Sequence, residues 1–128
     1  MMLLDTSVVI DLFRAQNDRI LDVILEQDVA VCGITRAEVL HGARDASHRV
    51  KLMAALDLFQ SVALPEAIWD QVGDNLAALR ASGITVPLAD AIIATLAITN
   101  DIELWARDQH FLLIRQVLPA LKLFQEMS

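Results

Sequence analysis

Apolar residues fall into two kinds of run along this chain. Leu3-Leu4, Val29-Ala30-Val31-Cys32 and Ile102 to Trp105 are short and dominated by apolar side chains. Runs of that kind suit strands covered on both faces of a sheet. Between them apolar residues recur at spacings of three and four, the period of helices with one buried stripe. Val8, Val9, Leu12 and Phe13 predict a helix directly after the first strand, with Thr6 and Ser7 as N-cap residues. A second helix is predicted from Asp18 to Glu26, with Ile20, Val23 and Ile24 on one side. Gly33 ends the next strand. Thr35-Arg36-Ala37-Glu38 then reads as a capping box, Thr35 the N-cap, opening a helix that stops near Gly42.

The second half repeats this grammar. Ser47 to Phe59 is predicted helical, with Val50, Met53, Ala54 and Leu58 at core spacing. Ser61 to Leu64 is a short strand. Pro65 opens a long helix as an N1 proline, and Gly83 closes it. Pro87 opens the next, which carries Asp90 in its first turn and is otherwise apolar to Thr99. After the Ile102–Trp105 strand come Asp108, a short helix from Gln109 to Val117, and a last short strand around Leu121 to Phe124. Alternation of this kind predicts an α/β fold with a mostly parallel sheet between helical layers. The prolines and glycines fall singly, and no linker or repeat is visible, so one domain spanning residues 1–128 is expected.

Charge narrows the chemistry. Lys and Arg number 10 against 17 Asp and Glu, a net charge of −7. So acidic a chain does not bind nucleic acid by phosphate neutralisation alone, which needs clustered cations. A metal ion would have to supply the positive charge. The one cysteine, Cys32, excludes a disulfide framework and a Cys-rich zinc site, and its apolar surroundings predict a buried, inert thiol. The start Met1-Met2-Leu3-Leu4 lacks a basic region and meets Asp5 at once, so no secretory signal is expected and the cytoplasm is the expected location. The uncharged stretch Ala91 to Asn100 has 10 residues, against the ~20 that a membrane-spanning helix needs.

Four carboxylates stand where strands end or helices begin: Asp5, Glu38, Asp90 and Asp108. In open parallel sheets the strands' carboxyl ends are where ligands bind. Each acid also has a plain structural reading. Glu38 completes a capping box, Asp90 suits a helix start through the macrodipole, and Asp108 can cap the helix that follows. Asp5 is hardest to explain that way, because it sits inside an apolar segment with no lysine nearby in sequence. A buried carboxylate without a partner is costly, and a metal relieves it. Oxygen donors suit Mg²⁺ or Mn²⁺ rather than zinc, and carboxylates around such ions hydrolyse phosphodiesters. His41, His48 and His110 lack metal-ligand spacing, and His110 reads as a surface or helix-start residue. Arg36, Arg44, Lys51 and Arg107 could meet a nucleic-acid backbone, with solvated surface charge the plainer reading; Trp69 and Trp105 read as packing residues.

Four segments in order carry a resemblance: Leu4-Asp5-Thr6-Ser7, Thr35-Arg36-Ala37-Glu38-Val39-Leu40-His41-Gly42, Pro87-Leu88-Ala89-Asp90-Ala91-Ile92-Ile93-Ala94 and Trp105-Ala106-Arg107-Asp108-Gln109-His110-Phe111. Together, across essentially the whole chain, they resemble the PIN-domain ribonucleases of the VapC toxin type. The resemblance implies a three-layer α/β/α sandwich with a short, mostly parallel sheet. It implies a Mg²⁺- or Mn²⁺-dependent endoribonuclease, the toxin of a toxin–antitoxin pair, with Asp5, Glu38, Asp90 and Asp108 as its acidic cluster. Asp5, Asp90 and Asp108 match metal ligands, the last in part through water. Glu38 matches an acid that ligates metal or activates water. Thr6 and Ser7 match polar positions where a hydroxyl holds a bound water or orients Asp5. Ala106 departs from the threonine often found before the fourth acid. An antitoxin with a basic C-terminal tail and a homodimer are also implied. The alternative is a non-catalytic regulatory or scaffolding domain. Asp5-Thr6-Ser7 also resembles the start of a haloacid-dehalogenase-type phosphatase, but Ser7 stands where a second Asp belongs.

Overall fold

The computed structural model describes residues 1–15 and 18–126 of the 128. Four parallel strands form the centre: β1 (Met2–Leu4), β2 (Val29–Val31), β3 (Gln60–Ser61) and β4 (Glu103–Trp105), in the order β3-β2-β1-β4. Around them lie α1 (Thr6–Ala15), α2 (Asp18–Glu26), α3 (Gly33–His41), α4 (Ala46–Leu56), α5 (Ile68–Ala81), α6 (Leu88–Thr99) and α7 (His110–Val117). The pleat sorts the apolar runs onto two faces. Met2, Leu4, Val29, Val31 and Trp105 meet Val8, Val9 and Ile20 of α1 and α2, Val39 of α3, and Leu52 and Leu56 of α4. Leu3, Cys32 and Leu104 meet Ile68, Val72 and Leu79 of α5, residues 91–94 and 96–97 of α6, and Phe111 and Ile114 of α7. The result is a three-layer α/β/α sandwich. Cys32 is buried, as its setting predicted. Among the described residues no helix is long and apolar enough to cross a membrane.

Strand order creates the crevice that matters. The chain steps outward from β1 to β2 to β3, then returns across the sheet to place β4 on the other side of β1. Between β1 and β4 the connections diverge, and at such a switch point the carboxyl ends leave an open cleft. Asp5 follows β1 and Asp108 follows β4, so both fall beside it.

Several local expectations need correction. The capping box does not form: α3 begins at Gly33, its N-cap is Cys32, and Thr35 lies inside the first turn. The N-cap role at α1 belongs to Asp5, whose Oδ2 accepts from the backbone N–H of Ser7 at 3.1 Å, rather than to Thr6 or Ser7. Helix α4 starts one residue before Ser47, because Asp45 caps it by accepting from the His48 N–H at 2.7 Å. It ends at Leu56, and its buried residues are Leu52 and Leu56. Val50 (64% exposed) and Leu58 (87% exposed) lie off the core face, the apolar stripe being shifted by two positions.

Pro65 stands before α5 rather than at its N1 position: its carbonyl accepts from the N–H of Ile68, the first helical residue. Strand β3 covers Gln60–Ser61 instead of residues 61–64, and it is exposed at the sheet's edge. Leu121 to Phe124 is not a strand. It makes one parallel bridge, Leu104 to Leu123, with backbone hydrogen bonds from Leu104 N–H to Lys122 and from Phe124 N–H to Leu104.

Candidate active site

Asp5 leaves the end of β1 into the first turn of α1, where apolar neighbours on both sides bury it to 4% exposure. Its Oδ2 accepts from the Ser7 hydroxyl at 2.6 Å as well as from the Ser7 N–H. Burial pushes its pKa above the ordinary carboxylate value, the Ser7 and Thr6 hydrogen bonds pull it back, and the charge of Glu38 adds to the rise.

Glu38 and Thr35 sit three residues apart on α3, hence on one face of it. Thr6 Oγ1 donates to Glu38 Oε1 at 2.7 Å and lies 3.2 Å from the buried Thr35 Oγ1. The Thr35 hydroxyl in turn faces the Leu4 carbonyl at 3.5 Å. Glu38 is therefore not occupied in capping its own helix. Its partner comes from α1, and the Thr35-x-x-Glu38 spacing serves the α1–α3 contact instead.

Asp90 stands in the first turn of α6, half-buried. Burial raises its pKa, a hydrogen bond from His110 lowers it, and the charges of Asp5 and Asp108 raise it further. Asp90 is thus in electrostatic reach of both Asp5 and Asp108, and Asp5 of Glu38. The four predicted acids are thus linked in a chain of charges, Glu38 to Asp5 to Asp90 to Asp108, although they come from four separate segments.

His110, set aside on spacing grounds, belongs to this cluster. Its Nδ1 is 2.8 Å from Asp90 Oδ2 and 3.0 Å from Asp108 Oδ1, and its backbone N–H donates to Asp108 Oδ1 at 2.9 Å. Donor atoms of Asp90, Asp108 and His110 lie within 4.8 Å of one another. The donor set fits a hard divalent ion: carboxylate oxygens that repel one another, two of them on acids whose charge burial disfavours. The signal for His110 in the sequence was its place two residues after Asp108, at the start of α7.

The remaining polar candidates divide. Arg107 Nε and Nη2 donate to Glu126 at 2.7 and 2.9 Å, and Nη1 donates to Asp11 of α1 at 2.8 Å. Its backbone N–H donates to Ser7 Oγ at 3.1 Å. Ser7 therefore links Asp5 to the loop that carries Asp108, a connection Ala106 has no hydroxyl to make. Arg36 pairs with Asp57 on the surface. Trp105 is fully buried against Phe124 and donates its Nε1–H to Glu126, while Trp69 is largely exposed. A groove of about 350 Å³ adjoins Glu38, lined by Ile10, Phe13, Arg14, Arg44, His48 and Leu52 among others.

Against known proteins, the family model described as PIN domain matches residues 2–116. No curated protein matches the sequence. Among solved structures the chain is similar to FitAcB from Neisseria gonorrhoeae, with 23% identity, a TM-score of 0.79 and 98% of each chain covered. It is similar to a toxin–antitoxin complex from Klebsiella pneumoniae, with 24% identity, a TM-score of 0.71, and 100% of this chain and 99% of that one covered. DNA-bound VapBC from Salmonella typhimurium gives 17% identity, a TM-score of 0.81 and 96% of each chain. At such identities the likeness is one of fold.

Proposed function

The chain belongs to the PIN domain family, and from that premise we propose that it is a metal-dependent endoribonuclease, the toxin of a toxin–antitoxin pair. One observation supports the reading: Asp5 and Asp90, whose pKa values burial raises, interact with each other, Glu38 adds its charge at Asp5 and Asp108 adds its charge at Asp90, beside the switch point of the sheet. Asp5, Asp90 and Asp108 would hold Mg²⁺ or Mn²⁺. The ion would polarise the scissile phosphate and make water a better nucleophile at neutral pH.

The chain's own residues supply the rest. Ser7 fixes the Asp5 carboxylate through its hydroxyl and its N–H. Glu38, aimed by Thr6, receives the proton as water attacks phosphorus and the P–O bond to the leaving oxygen breaks. Thr6 and Ser7 thus act through the acids rather than on the RNA. The net charge of −7 agrees with this division of labour, since the metal and not the surface neutralises the phosphate.

The fold neighbour from Klebsiella is a toxin–antitoxin complex. That supports an antitoxin partner whose basic tail would answer the acidic cleft with an arginine fork. Exposed apolar side chains, Leu21 and Leu25 of α2 with Val50 and Leu58, offer surface for that partner and for a homodimer. The cytoplasm is the compartment this reading requires.

The test is cleavage of a single-stranded RNA by the purified chain with Mg²⁺, with Mn²⁺ and with EDTA, alongside Asp90→Asn. We expect metal-dependent cleavage, abolished by EDTA and lowered by about a hundredfold or more in the variant. Equal cleavage in EDTA, or by the variant, overturns the assignment. A folded, metal-binding chain that cuts no RNA favours the scaffolding alternative.

A further inference from the structure

We propose that His110 is a direct ligand of the divalent ion and that its nitrogen tilts the site from Mg²⁺ towards Mn²⁺. This rests on the reading above that the acidic cleft holds a metal, and adds to it a donor that oxygen-only chemistry does not supply.

Geometry comes first. His110 opens α7, and its backbone N–H donates to Asp108 Oδ1 at 2.9 Å, which ties the start of α7 to the Asp108 carboxylate. Nδ1 then lies 2.8 Å from Asp90 Oδ2 and 3.0 Å from Asp108 Oδ1. With metal–ligand bonds of about 2.1 Å, neighbouring corners of an octahedron are about 3.0 Å apart. The two N···O separations match that spacing, and without an ion they are spanned by a hydrogen bond and an ion pair. The three donor atoms come from α6, the loop after β4 and the start of α7.

Chemistry supplies the preference. Mg²⁺ takes oxygen donors and keeps its waters, and it gains little from an imidazole. Mn²⁺ accepts the same carboxylates and, as the first member of the divalent transition series, gains more from an imidazole than Mg²⁺ does, though less than the later metals. A ligand set of three carboxylates and one imidazole should thus separate the two ions, where carboxylates alone would not. The competing explanation is that His110 only pairs with the two acids. In that case removing it would change affinity for both ions alike and leave their ratio as it was.

The experiment uses the full-length chain loaded with Mn²⁺. Electron spin-echo envelope modulation should show nitrogen coupled to the ion, with the coupling altered by ¹⁵N-histidine labelling and lost in His110→Ala. Calorimetry should show the ratio of Mg²⁺ to Mn²⁺ dissociation constants falling by about tenfold in that variant, the lower end of what loss of a metal-site group costs. His110→Gln, which keeps a polar side chain, should show the same fall. Bound Mn²⁺ without nitrogen coupling in the unaltered protein, or an unchanged ratio in both variants, overturns the proposal. Mn²⁺ binding that survives Asp90→Asn overturns instead the reading of the cleft as the metal site, and this proposal with it.

Discussion

Asp5 performs two tasks with one carboxylate: it caps α1, and it faces the cleft with its charge disfavoured by burial. Without metal the second task costs stability. A carboxyl whose folded pKa is raised costs nothing below its ordinary 3.8, and the cost grows as pH rises through the folded value. Asp5→Asn should therefore abolish RNA cleavage yet stabilise the metal-free fold by about 1 kcal/mol at pH 7, with the gain vanishing in acid. Chemical unfolding at the two pH values checks it, and a variant less stable than its parent at pH 7 would contradict it. Asp5 stood out in the sequence because a charge amid Leu4, Val8 and Val9, with no lysine nearby, is costly to bury. Glu38 was singled out for a mixed reason, since the capping box that also explained it does not form. His110 was missed because metal-ligand spacing is judged along the chain, while its partner Asp90 arrives from α6, twenty residues away.

Most helices were readable from periodicity, and α2, α6 and α7 end where expected, at Glu26, Thr99 and Val117, whereas the starts of α3, α4 and α5 were misplaced, because starts depend on single hydrogen bonds. Asp45 takes the start of α4 away from the register that Val50 and Leu58 suggested. The β3 segment is short because edge pairing with β2 ends at the Val62 N–H bond to Val31. The end of α5 was predicted well, and the reason is physical. Gly83 has φ of 78°, with its N–H on the Arg80 carbonyl and the Ile84 N–H on that of Leu79. This Schellman ending needs the left-handed conformation that glycine adopts without strain. Nothing lies within 4 Å of an added Cβ there, so the penalty is conformational alone. Gly83→Ala should cost about 1 kcal/mol in denaturant unfolding. The turn after α6 is built likewise, but Asp101 holds the left-handed position with φ of 53°. Asp101→Gly should be neutral or stabilising by less than about 1 kcal/mol, despite losing the exposed pair with Lys122. Opposite signs at the two sites would support the account, and equal losses would sink it.

Across the molecule, the parallel α/β class was legible from the continuous apolar runs, since both faces of the sheet are covered. The position of β4 beside β1 was not, because only the crossover after β3 decides it, and no residue encodes a crossover by itself. The C-terminal segment was misread as a strand for a related reason. Its role is to bring Glu126 to Arg107 and Trp105, which ties the loop of Asp108 to α1 through Asp11 and Ser7. Arg107 holds the Glu126 carboxyl below its ordinary 4.5. Its contribution to stability is thus complete above that value and is lost as pH falls through the folded one. Glu126→Gln should cost roughly 1 kcal/mol at pH 7 and nothing at a pH well below 4.5, as thermal unfolding at both pH values would reveal. A penalty that persists in acid would mean that the carboxylate charge is not what holds the tail.

The central claim is that Asp5, Asp90 and Asp108, from three separate segments, make one metal site. A crystal of the protein soaked in Mn²⁺ and measured at the manganese absorption edge tests it most directly. The account predicts an anomalous peak in the cleft between β1 and β4, bounded by Asp5, Asp90 and Asp108, and absent from Asp5→Asn crystals. A cleft without a peak at saturating Mn²⁺, or a peak untouched by that substitution, would contradict it.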